Sequence, residues 1–500
     1  MAFINSKLQD LPEMFKDACQ NLTLEKECFP HDLINAKNYY SLWDLDYLDN
    51  YDEKDTLIKN VTAIRAIKDK KLDVKKYAMH YCARDVDVLA TCFDAFRKMF
   101  IDRFNVDVFR FISMPSLAYA IQHNEGCFDG CYSMRGVPLN FARQAIVGVR
   151  VMTRDNQKHH TKHEISDFDA VSLYPSAQSI LEGYVLGAPK LFKHDIPKDA
   201  DYYIVRVRFN SIGKKLHFPL LSTFRAKLKT FGREVSSLPS AIREEDDASC
   251  RNFTNDIIGK EMILGKRALE DIVEFQGATF TVIEGMYWNE GFNNQIVKTI
   301  KSLFEERLKL KKEKNPLQNG IKLLMNSAYG KLIQKPIVKQ KTFVKANKLD
   351  PNKIEEYTQK NIHKMITRTM ISNDLALFEE HKVVYHHWSP AHLGVQVLDM
   401  SKHIMNRVMI LAEENDINIW YIDTDSMHID RDKIMKLADA FQIKYEQELI
   451  GTRLCQFHSD FELEGAEGEV YAKESIFLGK KSYIDALHAL GMIQLVIISV

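Results

Sequence analysis

Between Asp73 and about Ile101, Tyr77, Tyr81, Val88, Leu89, Cys92 and Phe96 recur at three- and four-residue spacing. That is the apolar stripe of an amphipathic helix. Residues 1–70 are mixed, with aromatic clusters such as Tyr39-Tyr40 and Trp43. Glu164–Asp169 reads as a short strand running into a loop, Asp169 to Ser176, in which Pro175 ends the element. Tyr203, Val205, Val207 and Phe209 alternate with polar or basic positions, the period of a strand. Asn294–Lys314 has helical periodicity; Asn315-Pro316 breaks it, and a second helix follows over Leu317–Lys331. Ile417–Tyr421 and Met427–Ile429 are apolar runs around Asp423-Thr424-Asp425-Ser426, the pattern of a hairpin with acids at its turn. Helices and strands mix without regular βαβ alternation, so the fold class expected is α+β.

The length of 500 residues predicts two to four packed units. A hydrophobic share of 45% with 27% charged residues excludes a disordered or fibrous chain. Sixty-eight basic residues cancel sixty-eight acidic ones, which leaves a nucleic-acid partner open, because a binding cleft needs local and not global positive charge. The eight cysteines contain no CxxC pair, and Cys127 and Cys131 have no second pair to complete a zinc site, so reduced thiols are expected. The opening MAFINSKLQDLPEMF lacks a signal-peptide pattern, and the apolar tail Leu495–Val500 is too short to span a bilayer. A soluble intracellular protein without a membrane partner is the expectation, in cytoplasm or nucleus.

Four segments could carry chemistry. Asp423 and Asp425 are two apart, so on a strand they share a face, and at a tight turn one or both can reach the same metal. Asp and Ser also form turns that hold no metal. Asp169, with Ser172, Tyr174 and Pro175 after it, offers a carboxylate from a separate segment, which a Mg²⁺ site with few protein ligands needs. Asp167 would share its face but lies further from the loop. Lys322, Asn326 and Tyr329 fall at i, i+4 and i+7 on one helix face, and Arg307 and Lys311 are four apart on the preceding helix. Such cations could grip a triphosphate, or simply form a solvated face. In Gly479–Tyr483, Lys481 and Tyr483 alternate on an expected strand and could contact a nucleic-acid backbone.

In this order the segments resemble the signature of family B DNA polymerases. Motif A, D-x-x-S-L-Y-P-S, is matched from Asp169 to Ser176, and motif B, K-x-x-x-N-S-x-Y-G, by Lys322, Asn326, Ser327, Tyr329 and Gly330. Motif C, Y-x-D-T-D-S, is matched from Tyr421 to Ser426, and K-x-Y by Lys481 and Tyr483. The resemblance covers most of residues 75–485. NSAYGK and the wide spacing between motifs are similar to the protein-primed branch of viruses, linear plasmids and Polinton-like elements. Tyr81 and Asp85 match the third exonuclease motif, Y-x-x-x-D.

The resemblance implies a polymerase right hand, with an antiparallel palm and helical fingers, preceded by part of an RNase H-like exonuclease domain. Its expected parts are an exonuclease-like segment (1–110), a linker and first palm segment with motif A (111–184) and a palm insertion (185–290). Fingers with motif B (291–333), a second insertion (334–390) and the rest of the palm (391–500) follow, the thumb missing or truncated. It implies that Asp169 and Asp425 hold two Mg²⁺ ions, with Mn²⁺ as an alternative, and that Asp423 supports them. Arg307, Lys311, Lys322 and Asn326 would meet the triphosphate. Tyr174 would lie under the sugar and Tyr329 along the base pair, with Lys481 and Tyr483 on the primer. Partners implied are primer-template DNA, deoxynucleoside triphosphates and a terminal priming protein.

The sequence departs from the family at three points. No D-x-E precedes Tyr81, and Asp460–Glu462 lies beyond motif C, so proofreading is expected to be absent. The Y-x-G-G segment reads Ile146-Val147-Gly148-Val149. The chain stops seventeen residues after Tyr483, suggesting truncation at both ends or a degraded copy. A non-catalytic DNA-binding remnant and a nuclease are the rival expectations.

Overall fold

The structure is a computed structural model that describes residues 3–4, 7–16, 18–19, 28–35, 37–49, 51–224, 251–335, 339–382, 390–463, 465–466, 468–489 and 492–499. Parts of the two insertion ranges, Cys250 and the end of the apolar tail lie outside these residues. The described cysteines are all free thiols. Two compact units are formed, Met1–Glu125 with Thr299–Ala328, and Gly126–Lys298 with Tyr329–Val500.

The first unit is built around the long helix Val74–Phe104. It starts where the Asp73 carboxylate caps the Lys76 amide at 2.9 Å and ends at Asn105 in the left-handed conformation. The apolar stripe read from the sequence buries Tyr77, Val88, Cys92 and Phe96, and continues to Phe100 and Phe104. Its start packs with Trp43, Leu48, Leu57, Val61 and Leu72 beside a three-stranded antiparallel sheet, Leu42–Asp44, Lys71–Asp73 and Ile67–Lys68. Burying each such large side chain contributes roughly 1.5–3 kcal/mol. Further along, Gly320 lies against the Phe96 and Phe100 rings, which a Cβ there would meet at 3.1 Å.

The second unit carries the central sheet, nine-stranded among the described residues. Its order is Met492–Ser499, Ser482–Ala489, Tyr471–Gly479, Ile165–Ala170, Ser426–Asp430, Ile419–Asp423 and Val151–Thr153. Phe457–Ser459 also pairs with Ile165–Ala170, and His159–Thr161 with Tyr471–Gly479. Smaller sheets come from residues 185–290 and 334–390, the ranges expected to hold insertions. Tyr202–Ser211 is flanked by Glu261–Gly265 and Thr279–Trp288, with Lys190–Lys193 beyond. Leu375–His381 lies between Lys339–Lys345 and Met365–Ser372, over a core of Val344, Ile354, Ala376 and Phe378. All these pairings are antiparallel, as the α+β expectation requires.

Helix Ala391–Glu414 is buried along most of its length, and the helices Gly136–Gln144, Leu173–Ile180, Lys266–Gln276 and Ile434–Tyr445 pack against it. It buries polar side chains as well as apolar ones, among them Asp399, which pairs with Lys402 at 2.9 Å. Gly265 permits its close approach, since a Cβ there would lie 2.2 Å from Asp399 Oδ2. Among the described residues no helix is long and apolar enough to cross a membrane.

Two local expectations need correction. Pro175 does not end an element: it lies in the first turn of helix Leu173–Ile180. A first-turn N–H has no helical partner, so proline loses nothing there. Lys481 is not on a strand; it turns the hairpin between Tyr471–Gly479 and Ser482–Ala489 with φ +51°.

Candidate functional site

Motif A and motif C occupy neighbouring strands. Ser426 pairs with Asp169 on one side and with Asp423 on the other, so the three aspartates lie at one end of the sheet. The Ala170 amide donates to the Asp425 carbonyl at 2.9 Å, tying the two motifs together where the strands end. Asp169, Asp423 and Asp425 are each half-buried.

The backbone around them is strained. Ser172, Thr424 and Lys481, one from each of motifs A, C and K-x-Y, have φ of +47°, +64° and +51°. For a β-branched residue such as Thr424 the left-handed region is a true outlier. The Thr424 amide donates to the Arg150 carbonyl at 2.8 Å, and the Asp425 amide to Asp423 O at 2.7 Å. Those bonds hold the turn in its left-handed conformation.

The acids repel one another. Burial raises the Asp425 pKa, its own amide partly offsets this, and the charges of Asp423, Asp167 and Asp460 raise it further. Asp423 has a counter-ion: Lys481 Nζ reaches its two oxygens at 2.9 and 2.8 Å. Among the described residues no three His, Cys, Asp or Glu side chains form a ready-made metal shell. Asp169 and Asp425 nonetheless fit a hard divalent cation, which takes few carboxylates and completes its shell with water and phosphate oxygens. A cation beside Asp425 would offset both the burial that chiefly raises its pKa and the charges of the neighbouring acids.

Tyr174 stacks on Tyr329, the last motif B side chain, with ring centroids 3.8 Å apart and planes 17° apart. Burial, then the Tyr329 hydroxyl, keeps the Tyr174 phenol protonated. The remaining triphosphate candidates belong to the first unit. Lys311 and Lys322 are exposed, whereas Arg307 and Asn326 are half-buried, with Arg307 Nε and Asn326 Oδ1 lacking hydrogen-bond partners. An unpaired buried donor and acceptor cost free energy that a bound polar ligand would return. Of the exonuclease pair, Tyr81 stacks on Phe29 at 4.6 Å and Asp85 is half-buried on the same helix.

The sequence reading passed over several polar residues here. Asp460, set aside because it follows motif C, is brought beside the acids because Phe457–Ser459 pairs with the motif A strand, and its amide donates to Asp167 O at 2.9 Å. Asp167 faces His428 across the register, and His428 contacts Asp485. Burial pulls the His428 pKa down, but Asp167 and Asp485 more than reverse this and hold it above the ordinary value. Asp167 is itself raised, chiefly by burial. The available signal was period two: Asp485 lies two positions after Tyr483 and shares its face.

Comparison with known proteins accords with these motifs. The family described as DNA polymerase type B, organellar and viral, matches residues 2–414, a span that holds motifs A and B and ends before motif C. A DNA polymerase of Kluyveromyces lactis is 23% identical over 484 residues, covering 92% of this chain and 43% of its own length. The chain therefore spans less than half of that relative. Phi29 DNA polymerase complexed with primer-template DNA and incoming nucleotide substrates shares the fold at TM-score 0.59 and 15% identity, over 99% of this chain and 71% of the other. Its orthorhombic crystal form gives 0.58 and 16%, over 99% and 70%. The match over four-fifths of the sequence places this chain in the type B DNA polymerases of organellar and viral kind.

Proposed function

We propose that the chain performs template-directed DNA synthesis, joining deoxynucleoside triphosphates to a primer 3′-hydroxyl. The observation that carries this reading is the adjacency of motifs A and C, whose strands pair through Ser426 with Asp169 and Asp423 and so bring Asp169, Asp423 and Asp425 to one end of the sheet. The primer oxygen would bond to the α-phosphorus as the bond to the β-phosphate bridging oxygen breaks, pyrophosphate leaves, and the hydroxyl proton passes to water.

Mg²⁺, or Mn²⁺ in its place, would supply the positive charge that such a reaction needs between carboxylates and phosphates. Asp169 and Asp425 would hold it, and Asp423 would support them while paired with Lys481. Arg307, Lys311 and Lys322 would bind the triphosphate, with Asn326 close by. Tyr174 would lie under the sugar and reject a 2′-hydroxyl, and Tyr329, stacked on it, would line the nascent base pair. Lys481 and Tyr483 would steady the primer strand. Positioning and charge would thus supply most of the catalysis. NSAYGK in motif B and the wide spacing between the motifs, similar to the protein-primed branch, support initiation from a terminal priming protein, as in replication of a virus or mobile element.

Incubating the purified chain with a labelled primer, template, Mg²⁺ and nucleotides tests the reading. Extension in template order supports it; DNA binding without extension overturns it. Without nucleotides a mismatched 3′ end should stay intact, because Asp85 is the one matched exonuclease acid. Mononucleotide release that disappears in Asp85→Ala would refute that expectation.

A further inference from the structure

Behind the carboxylates the sheet buries a line of polar side chains. Ser475 Oγ donates to Asp485 Oδ1 at 2.6 Å, Asp485 Oδ2 meets His428 Nε2 at 3.1 Å, and His428 Nδ1 faces Asp167 Oδ1 across 3.9 Å. His428 and Asp485 are 1% and 0% exposed. Two other strands separate theirs in the sheet order, yet the side chains touch, so the sheet curls about this line.

Buried ionic groups are a costly way to hold strands together, since apolar side chains of similar volume serve as well or better. What they add is direction. Bonded at Nε2, the imidazole cannot slide as a leucine could. Tyr483 and Tyr421 lie against it edge-on, with centroids at 5.0 and 5.6 Å. The Tyr421 hydroxyl accepts from the Lys481 amide at 2.9 Å, and the Lys481 ammonium holds Asp423. An unbroken series of contacts therefore runs from Asp485 through His428 and Tyr421 to Lys481 and the motif C acid.

We propose that His428, clamped by Asp485, is a positioning residue for nucleotide addition, fixing the hairpin of Lys481 and Tyr483 against the motif C turn and so setting Lys481 on Asp423. This rests on the polymerase reading. Its role is exerted through Lys481, so its loss should matter only while Lys481 is present.

Single-turnover incorporation by the whole chain tests this with Asp485→Asn, His428→Gln, Lys481→Met and the double variant His428→Gln/Lys481→Met. Asp485→Asn keeps the shape and an oxygen for Ser475, so one member of the set should fold whatever becomes of the histidine variant. Asp485→Asn and His428→Gln are expected to slow incorporation at saturating nucleotide by about 10- to 100-fold, the cost of misplacing a group by an ångström. In the Lys481→Met background, His428→Gln should add less than about threefold, since residues acting through one another are not additive. Wild-type rates in both single variants would overturn the proposal, as would losses that multiply fully in the double variant. A lowered unfolding midpoint with an intact rate per folded molecule would also overturn it. If the wild-type chain does not extend primers, the polymerase reading fails instead.

Discussion

Two carboxylates in the second unit, the buried Asp271 and the half-buried Asp425, show opposite ways of meeting the cost of desolvation. Asp271, 1% exposed, accepts from Arg267 Nε at 2.8 Å, His403 Nδ1 at 2.8 Å and Asn406 Nδ2 at 2.6 Å. Asn406 in turn receives the Arg150 guanidinium, whose other nitrogen donates to Pro219 O at 3.2 Å. The Asp271 carboxylate thus has resident donors at its two oxygens, and the network joins helix Lys266–Gln276 to helix Ala391–Glu414. Asp425 has acids for neighbours, and its pKa is raised where a scaffold carboxylate would be paired. A carboxylate supplied with donors holds the fold; one left among other carboxylates is suited to a cation from outside. The two are connected, since the Arg150 carbonyl holds the Thr424 amide of the motif C turn.

The sharpest test of the contrast is Asp425→Asn. Nucleotide addition should fall by about 1000-fold or more, as for loss of a principal electrostatic group, while DNA binding survives and the metal-free protein becomes no less stable. Mg²⁺ should raise the melting midpoint of wild type and not of the variant. More than a few per cent of residual extension would make Asp425 another scaffold acid.

Asp271→Ala should do the reverse. Stranding Arg267, His403 and Asn406 should cost about 3–5 kcal/mol, seen as a lower urea midpoint, with the rate per folded molecule retained. A rate loss without a stability loss would erase the distinction.

Aromatic pairs repeat the comparison on a smaller scale. Trp288 stacks on His392 at 5.1 Å with both fully buried, whereas the Tyr174–Tyr329 stack is only half-buried. Tyr174→Val should relax the preference for deoxy- over ribonucleotides by about 10- to 100-fold, the range for a steric difference of this size. An unchanged ratio in single-turnover assays would make Tyr174 merely core.

The smallest effect is expected at the surface of the first unit. Asp107 accepts from Arg97 at 2.8 and 2.6 Å, and that pairing, with the Phe109 amide, lowers its pKa from 3.8 to about 2. A depressed carboxylate stabilises the fold above its unfolded value and loses that contribution as pH falls through the folded one. Between pH 3.8 and about 2 the urea midpoint of Asp107→Asn should therefore decline less steeply than that of wild type. Parallel curves would show the pair to be without consequence, as many exposed pairs are.

Local pattern carried much of this. The long helix from Asp73, the hairpin around Asp423 and the helix pair broken at Asn315-Pro316 were legible because periodicity and breakers act within a few residues. The motifs were legible because their residues are consecutive or nearly so. Pro175 misled because proline stops a helix from inside but not from its first turn. Lys481 misled because its left-handed turn is imposed by the strands on either side.

Which acids, amides and rings share a neighbourhood was decided only by the tertiary structure. Asp460 meets Asp167 because strand Phe457–Ser459 pairs beside motif A, and Asp485 meets His428 because the sheet curls. Sequence determines alternation along a strand, since that period is fixed by the backbone itself. Strand order, register and curl come from the cooperative burial of side chains far apart in the chain, and with them come the charge environments of Asp425 and Asp271. Desolvation and Coulomb interactions depend on distance in space, and a linear sequence holds that distance only implicitly.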